Sequence, residues 1–443
     1  QQTSDGGFII TGCTSSYGAG DMDVWLIKTD EYGNEEWNQT FGGIDSDQAY
    51  TVKQTTDGGF IVAGYTDSFG EGYHNCWIIK TDEEGNEEWN RTFGNYDSRC
   101  NYVQQTIDGG YILAGATWLF EANNYFDVWL IKTDKNGDEE WSQIYGGAYW
   151  DEACSAQQTS DGGFIMGGYT WSYGCSGDFW LIKTDGEGNI EWNQTYGGGN
   201  IDICSSVSQT NDDGYILTGY TYSYGAGDMD FWLIKTDESG NEVWNRTFGG
   251  SSEDWAHSVQ QTIDGGYIIV GETTSFGEGN LWIIKTDEQG NEIWNKTYGD
   301  DNGEIGNSIE QTTDGGYIIA GVKRYIDTGW SDVLLIRVGS DNAISEENVT
   351  SIESHLSNYP NPFNNSTEIK FSLQKTGFVI IDVYNIKGQK IKTLIREHYQ
   401  KGNHQVFWNG DDETGKKVIS GIYFYKLNVN GKNEVVKKCL LLK

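Results

Sequence analysis

Five tryptophans, Trp118, Trp150, Trp171, Trp255 and Trp330, stand outside the regular spacing that governs most aromatic residues of this 443-residue chain. Flat indole rings stack on the apolar faces of sugars, and carboxylates beside them accept hydroxyl hydrogen bonds. Trp150 follows Tyr149, and Trp118 and Trp171 share one loop position, where the next copy of a repeat has Tyr222. Trp118, Trp150, Trp171, Tyr222 and Trp255 therefore form the candidate ligand-binding set, for a glycan or another cell-surface component. Loop packing and a protein contact are the competing readings, because Trp is enriched at interfaces.

A second series is acidic. Asp47, Asp151, Asp202, Asp254 and Glu304 each precede a recurring Gln by seven residues, with Ser98 in the one remaining place. A ring of carboxylates at a channel mouth would hold Ca²⁺, a hard cation that takes oxygen ligands. The alternative is that each acid accepts backbone N–H bonds and locks a loop. Near-invariant recurrence favours the lock. Asp23, Asn75, Asp127, Asp178, Asp230, Asn280 and Asp332 form a parallel series with the same reading. Ca²⁺ is the single candidate cofactor.

Catalytic residues are not apparent. His is the usual general base, yet the first 343 residues hold only His74 and His257, in non-equivalent places, and no Gly-x-Ser-x-Gly elbow. Arg99, Lys323 and Arg324 are the basic residues near the candidate loops. A polysaccharide-acting enzyme is the low-ranked alternative to a binding protein. The triplets at Asn38, Asn90, Asn193, Asn245 and Asn295 match an N-glycosylation acceptor, and they equally suit the polar edge of an outer strand.

The elements that position these residues come from a sevenfold repeat. Gln-Thr pairs begin at Gln2, Gln54, Gln105, Gln158, Gln209, Gln261 and Gln311, a period of 50 to 53 residues. Each is followed by an Asp-Gly-Gly or similar turn, an apolar run, Trp-Leu-Ile-Lys-Thr-Asp or a close variant, Gly-Asn and a second Trp. Such periods mark solenoids, propellers or arrays. One copy predicts four strands, at 48–55, 60–66, 76–81 and 87–93. The turns between them suit tight hairpins because Gly and Asn tolerate positive φ. Inner runs such as FIVAG are continuously apolar and need cover on both faces. Seven copies therefore predict an all-β, seven-bladed propeller.

Twelve of the eighteen Trp belong to the repeat, six on the third strands and six on the fourth, and are expected to fill the gaps between blades. Residues 29–37, Thr-Asp then Gly-Asn then Trp, resemble the Asp-box of sialidase-type propellers and the blade signature of quinoprotein-type propellers. Both are structural hairpin motifs, so the resemblance supports the fold and carries no chemistry. In a four-stranded blade the fourth-to-first and second-to-third loops share one face. Those loops vary here, and all five unpatterned Trp map to them. The seventh copy is degenerate, with a fourth strand expected at 343–350. The first copy lacks most of its inner strand, which an upstream segment or another chain would supply unless ring closure is imperfect.

Composition divides the chain. Residues 1–343 carry 15 basic and 56 acidic side chains, and residues 344–443 carry 14 and 10. So acidic a body repels phosphate backbones, which argues against nucleic acid. No run of about 18 apolar residues is present, so no membrane span is expected. The irregular placement of seven Cys argues against a disulfide framework. The expected domains are 1–350, a linker at 351–358, and a small immunoglobulin-like β-sandwich at 359–443.

That last segment carries a more specific pattern. The order YPNPFN, IKFSL, GFVIIDVYNIKGQKI and GNHQVFWNGDDETGKKVISGIYFYKL, then a basic tail, resembles a type A sorting domain of the type IX secretion system. The resemblance implies export across the outer membrane of a Bacteroidota-like bacterium, with the secretion machinery as a partner and an extracellular or outer-membrane-surface location. A generic immunoglobulin-like adhesion module is the alternative for the same strands. The expected function is a secreted, non-catalytic propeller for glycan binding or adhesion. A self-associating structural subunit is the second reading, which makes another copy of the chain a candidate partner.

Overall fold

The computed structural model describes all residues except 95, 120–124, 278, 300–302, 326–329, 340–348, 352–355, 374–375, 401, 430–431 and 443. The chain forms two compact units, Gln1–Ile352 and Glu353–Lys443. Among the described residues every regular element is a strand, and no helix is long and apolar enough to cross a membrane.

In the first unit the strands form seven antiparallel sheets in chain order, the first with three strands and the others with four. The second sheet is representative: Asp47–Gln54, Phe60–Thr66, Asn75–Thr81 and Glu87–Phe93 lie side by side in that order. Its second and third strands are buried along their whole length, as uninterrupted apolar runs require. One apolar cluster fills each interface between successive sheets. A further cluster joins Phe8, Ile10, Trp25 and Ile27 of the first sheet to Ile318 and Leu335 of the last. The sheets therefore close into a propeller.

Polar bonds repeat that closure. Each repeat Gln presents its Oε1 to a backbone N–H in the turn of the blade before it, as Ser4 N to Gln54 and Thr56 N to Gln105. The bond from Thr313 N to Gln2 Oε1, at 2.9 Å, completes the circle. Gln2 N also donates to Glu310 Oε2 at 2.7 Å. Ahead of the three strands of the first blade, Gln1 N donates to Ile9 O and Gln2 forms an antiparallel bridge with Phe8. The fourth strand of the last blade is Val349–Ser351, paired with Leu334–Ile336. Most of the expected strand, 343–348, lies outside the described residues.

Repeat tryptophans lock blade to blade. Fourth-strand rings meet the next blade's aromatic ring edge-on, as Trp37 with Phe60 at 5.8 Å and Trp89 with Tyr111 at 5.8 Å. Gly85 sits against Trp37 with φ +80, and a Cβ there would fall 2.5 Å from the indole. Both demands exclude a side chain at that turn.

One disulfide crosses a blade interface, with no framework of bridges around it among the described residues. Cys76, on the third strand of blade two, is bonded to Cys100, on the first strand of blade three, with Cα atoms 5.0 Å apart. Their repeat positions differ, and only the stacking of adjacent blades brings them together.

The second unit is a β-sandwich of a three-stranded and a four-stranded sheet. Its core includes Phe363, Ile369, Phe371, Val379, Ile381, Trp408 and Tyr425.

Candidate functional site

The bulge in each first strand re-aims the residues next to it. Two of these series face the variable loops in cross-strand register: the residue after each recurring acid, and the residue before the Thr that ends the second strand. In blade four they are Glu152 and Tyr169, in blade five Ile203 and Tyr220, and in blade six Trp255 and Glu272. These positions vary while their neighbours repeat.

At blades three to five the series lines an open cleft of about 460 Å³. Trp150 and Trp171 stand on its rim, 38% and 42% exposed, with Tyr125 and Tyr149 beside them. Tyr169, Tyr220, Ile201 and Ile203 form the rest of the wall. The loops are fixed by main-chain bonds: Trp171 N donates to Trp150 O at 2.9 Å, and Tyr222 N to Ile201 O at 3.0 Å.

A single buried carboxylate anchors this wall. Glu152 accepts from Arg99 Nη2 at 2.7 Å, Tyr169 Oη at 2.7 Å, Asn101 Nδ2 at 2.8 Å and Trp150 Nε1 at 3.2 Å. The Arg99 guanidinium lies 5.2 Å from the Phe126 ring centre and 5.9 Å from that of Trp150. Its Nε is buried without a hydrogen-bond partner. Burial opposes the charge on Arg99, but facing Glu152 holds its pKa above the ordinary value. Burial, reinforced by Glu152, drives the Tyr169 hydroxyl far upward, and burial pushes Tyr220 up to about 12. Arg99 therefore stays charged and the Tyr169 and Tyr220 hydroxyls stay neutral at neutral pH. With four donors on Glu152, the site has a committed anchor rather than a free acid or base.

The candidate tryptophans are only partly brought together. Trp150 and Trp171 share the cleft. Trp118 lies behind it, packed on Phe126 at 4.9 Å, which in turn packs on Trp150 at 5.3 Å. Tyr222 flanks Tyr220 at 6.3 Å. Trp255 is absent from the wall and pairs in register with Glu272, whose carboxylate bonds Arg324 at 3.1 Å. Trp330 begins the third strand of blade seven, and its side chain lies outside the described residues. Sequence reasoning passed over Glu152, Tyr169, Ile203 and Tyr220. Their signal was variation at two fixed places within strands that otherwise repeat.

The acid series lies deep in the loops. Asp47, Asp151, Asp202 and Asp254 are fully buried. Asp202 accepts from Thr221 Oγ1, from Ser223 Oγ at 2.8 Å and from Gly198 N at 2.9 Å. Asp151 and Asp254 repeat this set, and Asp47 bonds Ser68 and Gly43. Glu304 pairs with Lys323 at 3.1 Å. Burial raises the pKa of Asp178 and of Asp230 in the parallel series.

Each sequon Asn has a structural partner. Asn38, Asn90, Asn193, Asn245 and Asn295 accept from the indole Nε1 of the third-strand Trp at 3.2–3.4 Å.

Residues 357–442 match the secretion system C-terminal sorting domain family. The sorting domain marks the chain for export to the cell surface or the extracellular space. No curated protein sequence matches the chain. Among solved structures it resembles PorZ, an essential bacterial surface component of the type-IX secretion system of Porphyromonas gingivalis. The identity is 10% and the TM-score 0.37, over 95% of this chain and 64% of that one. The WD40 domain of Neurospora crassa Pan2 is 7% identical with a TM-score of 0.43, over 83% and 91%. A glucose dehydrogenase is 9% identical with a TM-score of 0.38, over 66% and 96%. At these identities the likeness concerns the fold alone.

Proposed function

We propose that this exported propeller is a non-catalytic glycan-binding protein of the cell surface or its surroundings, and that the Trp150–Trp171 cleft is its binding site. The observation that carries this reading is the pairing of two half-exposed indoles with Tyr125 and Tyr149 along a wall that Glu152 anchors through Trp150 and Tyr169. Indole and phenol faces stack on sugar rings at low conformational cost. The openness of the cleft suits a chain or branch of a polymer rather than an enclosed small molecule. Binding without turnover fits a site whose buried carboxylate already accepts from four donors. The test is a glycan array followed by titration with the double variant Trp150→Ala/Trp171→Ala, using Trp255→Ala as the control. Loss of binding in the double variant alone supports the reading. Equal binding by all three proteins, or no binding to any glycan, refutes it.

A further inference from the structure

Two tyrosine pairs occupy the same repeat positions on neighbouring blades. Tyr125 and Tyr149 stand two residues before Asp127 and Asp151, and Tyr73 and Tyr96 stand two residues before Asn75 and Ser98. The ring centres of Tyr125 and Tyr149 lie 5.8 Å apart, and those of Tyr73 and Tyr96 lie 6.3 Å apart. Tyr73 N donates to Tyr96 O at 2.8 Å, which ties the two loops of the second pair together.

Blade architecture does not ask for these rings. The same two places hold Asp21 and Asp45 in blade one, Ser176 and Asn200 in blade four, and Asp228 and Ser252 in blade five. The main-chain bond that joins the adjoining residues forms with or without tyrosine. It runs from Ser98 N to His74 O at 2.8 Å, from Asp202 N to Gly177 O at 2.7 Å and from Asp254 N to Met229 O at 2.8 Å. Tyr73 and Tyr96 are 70% and 46% exposed, so they bury little of the apolar area that a packing role would supply. Large rings left in water at adjacent, equivalent places mark a contact surface.

The surroundings of the blade-two pair set the chemistry of its ligand. Asp97 directly follows Tyr96. Asp67 bonds His74 Nδ1, and Tyr65 meets the His74 ring edge-on at 4.4 Å. Carboxylate and imidazole groups exchange hydrogen bonds with sugar hydroxyls. The same carboxylates repel an anionic polymer, as does a body with 15 basic and 56 acidic side chains in residues 1–343. Arg99, whose charge acts on Asp97, is already bonded to Glu152.

Resting on the reading of the Trp150–Trp171 cleft as a glycan site, we propose that Tyr73 and Tyr96 form a second sugar-stacking subsite for the same uncharged polysaccharide chain. A continuous run of contacts links the two places. Trp118 N donates to Asp97 O at 2.8 Å, Trp118 packs on Phe126, and Phe126 packs on Trp150. Packed sheets lie about 10 Å apart, so one sugar ring cannot stack on both tyrosine pairs, whereas an oligosaccharide can. Linked subsites raise the affinity for a long chain over a short one with no change in either subsite.

The full chain is titrated with gluco-, manno-, xylo- and N-acetylchito-oligosaccharides of three and eight residues, and with oligogalacturonates of the same lengths as anionic probes. Tyr73→Ala/Tyr96→Ala should weaken octasaccharide binding about tenfold and leave trisaccharide binding unchanged. Its Tm should match the wild type, because blades four and five keep the same loop bonds without tyrosine. Unchanged octasaccharide affinity in this variant overturns the second subsite and leaves the cleft reading standing. Equal loss for both lengths also overturns it, since the tyrosines would then act through the cleft. Tightest binding of oligogalacturonate overturns the uncharged class. No binding of any probe by the wild type, or trisaccharide binding that survives Trp150→Ala/Trp171→Ala, refutes the cleft reading and the subsite with it.

Discussion

Trp77 donates its indole N–H to Oδ1 of Asn90 at 3.3 Å, and Asn90 Nδ2 in turn donates to Glu87 Oε1 at 2.6 Å. The triplet that resembles a glycosylation signal is thus a hydrogen-bonded relay between the third and fourth strands. Asn245 forms the same relay with Trp232 and Glu242. Replacing Asn245 by Ala leaves a buried indole N–H short of its acceptor, at a cost of about 1 kcal/mol. Urea denaturation should report that loss, with circular dichroism otherwise unchanged.

The bridge from Cys76 to Cys100 closes a loop across two blades, with a sequence separation of 24. A loop of that length constrains the unfolded chain by roughly 3 kcal/mol. Reduction, or Cys76→Ser/Cys100→Ser, should lower the unfolding midpoint by a corresponding amount. Denaturation with and without reductant checks this, and the double variant should show no further response to reductant.

Acid should weaken the propeller through its turns. Lys28 is buried and lies 2.8 Å from Asp5, and Lys183 lies 2.9 Å from Asp161. Burial opposes ionisation of these two acids, but hydrogen bonds from the Lys, a Thr and a backbone N–H outweigh it. Each pKa falls from 3.8 to about 2. A depressed folded pKa means the folded state binds fewer protons than the unfolded state between the two values. The contribution is complete above about pH 4 and is lost as pH falls toward 2. Denaturation midpoints should be flat from neutral pH to about 5 and drop below 4, with Asp161→Asn flattening part of the drop.

Much of this architecture is legible in one dimension because a blade is local. The Asp57-Gly58-Gly59 turn, the run from Phe60 to Thr66 and the position of Trp77 all belong to one repeat and recur at fixed spacing. The bond between Cys76 and Cys100 and the contacts of Glu152 with Arg99 follow a different rule. Arg99 and Glu152 are 53 residues apart, one full repeat, and become neighbours only when blade stacks on blade. Trp255 illustrates the converse: it shares the variable face with Trp150, but its own blade carries it away from the cleft. The β-sandwich of the second unit was expected for the same local reason, since turns such as Asn385–Gly388 and Asp412–Gly415 carry their own Asn, Asp and Gly signals.

Arg99 is the cation on which the anchor of the cleft wall depends. Its guanidinium bonds Glu152 and lies against Phe126 and Trp150. Arg99→Ala would leave a buried carboxylate with its neutral donors alone. Losing one partner of a buried pair costs roughly 3–5 kcal/mol; partial exposure of Arg99 reduces that to about 2 kcal/mol. The paired change Arg99→Met/Glu152→Gln removes both charges and retains the volume, so it should recover most of the stability. If Glu152 only supports the fold, glycan affinity should recover with it. If the anchor sets the pose of Trp150 through its 3.2 Å bond to the indole, affinity should stay low in the stable double variant. Thermal unfolding and glycan titration on the same three proteins separate these outcomes.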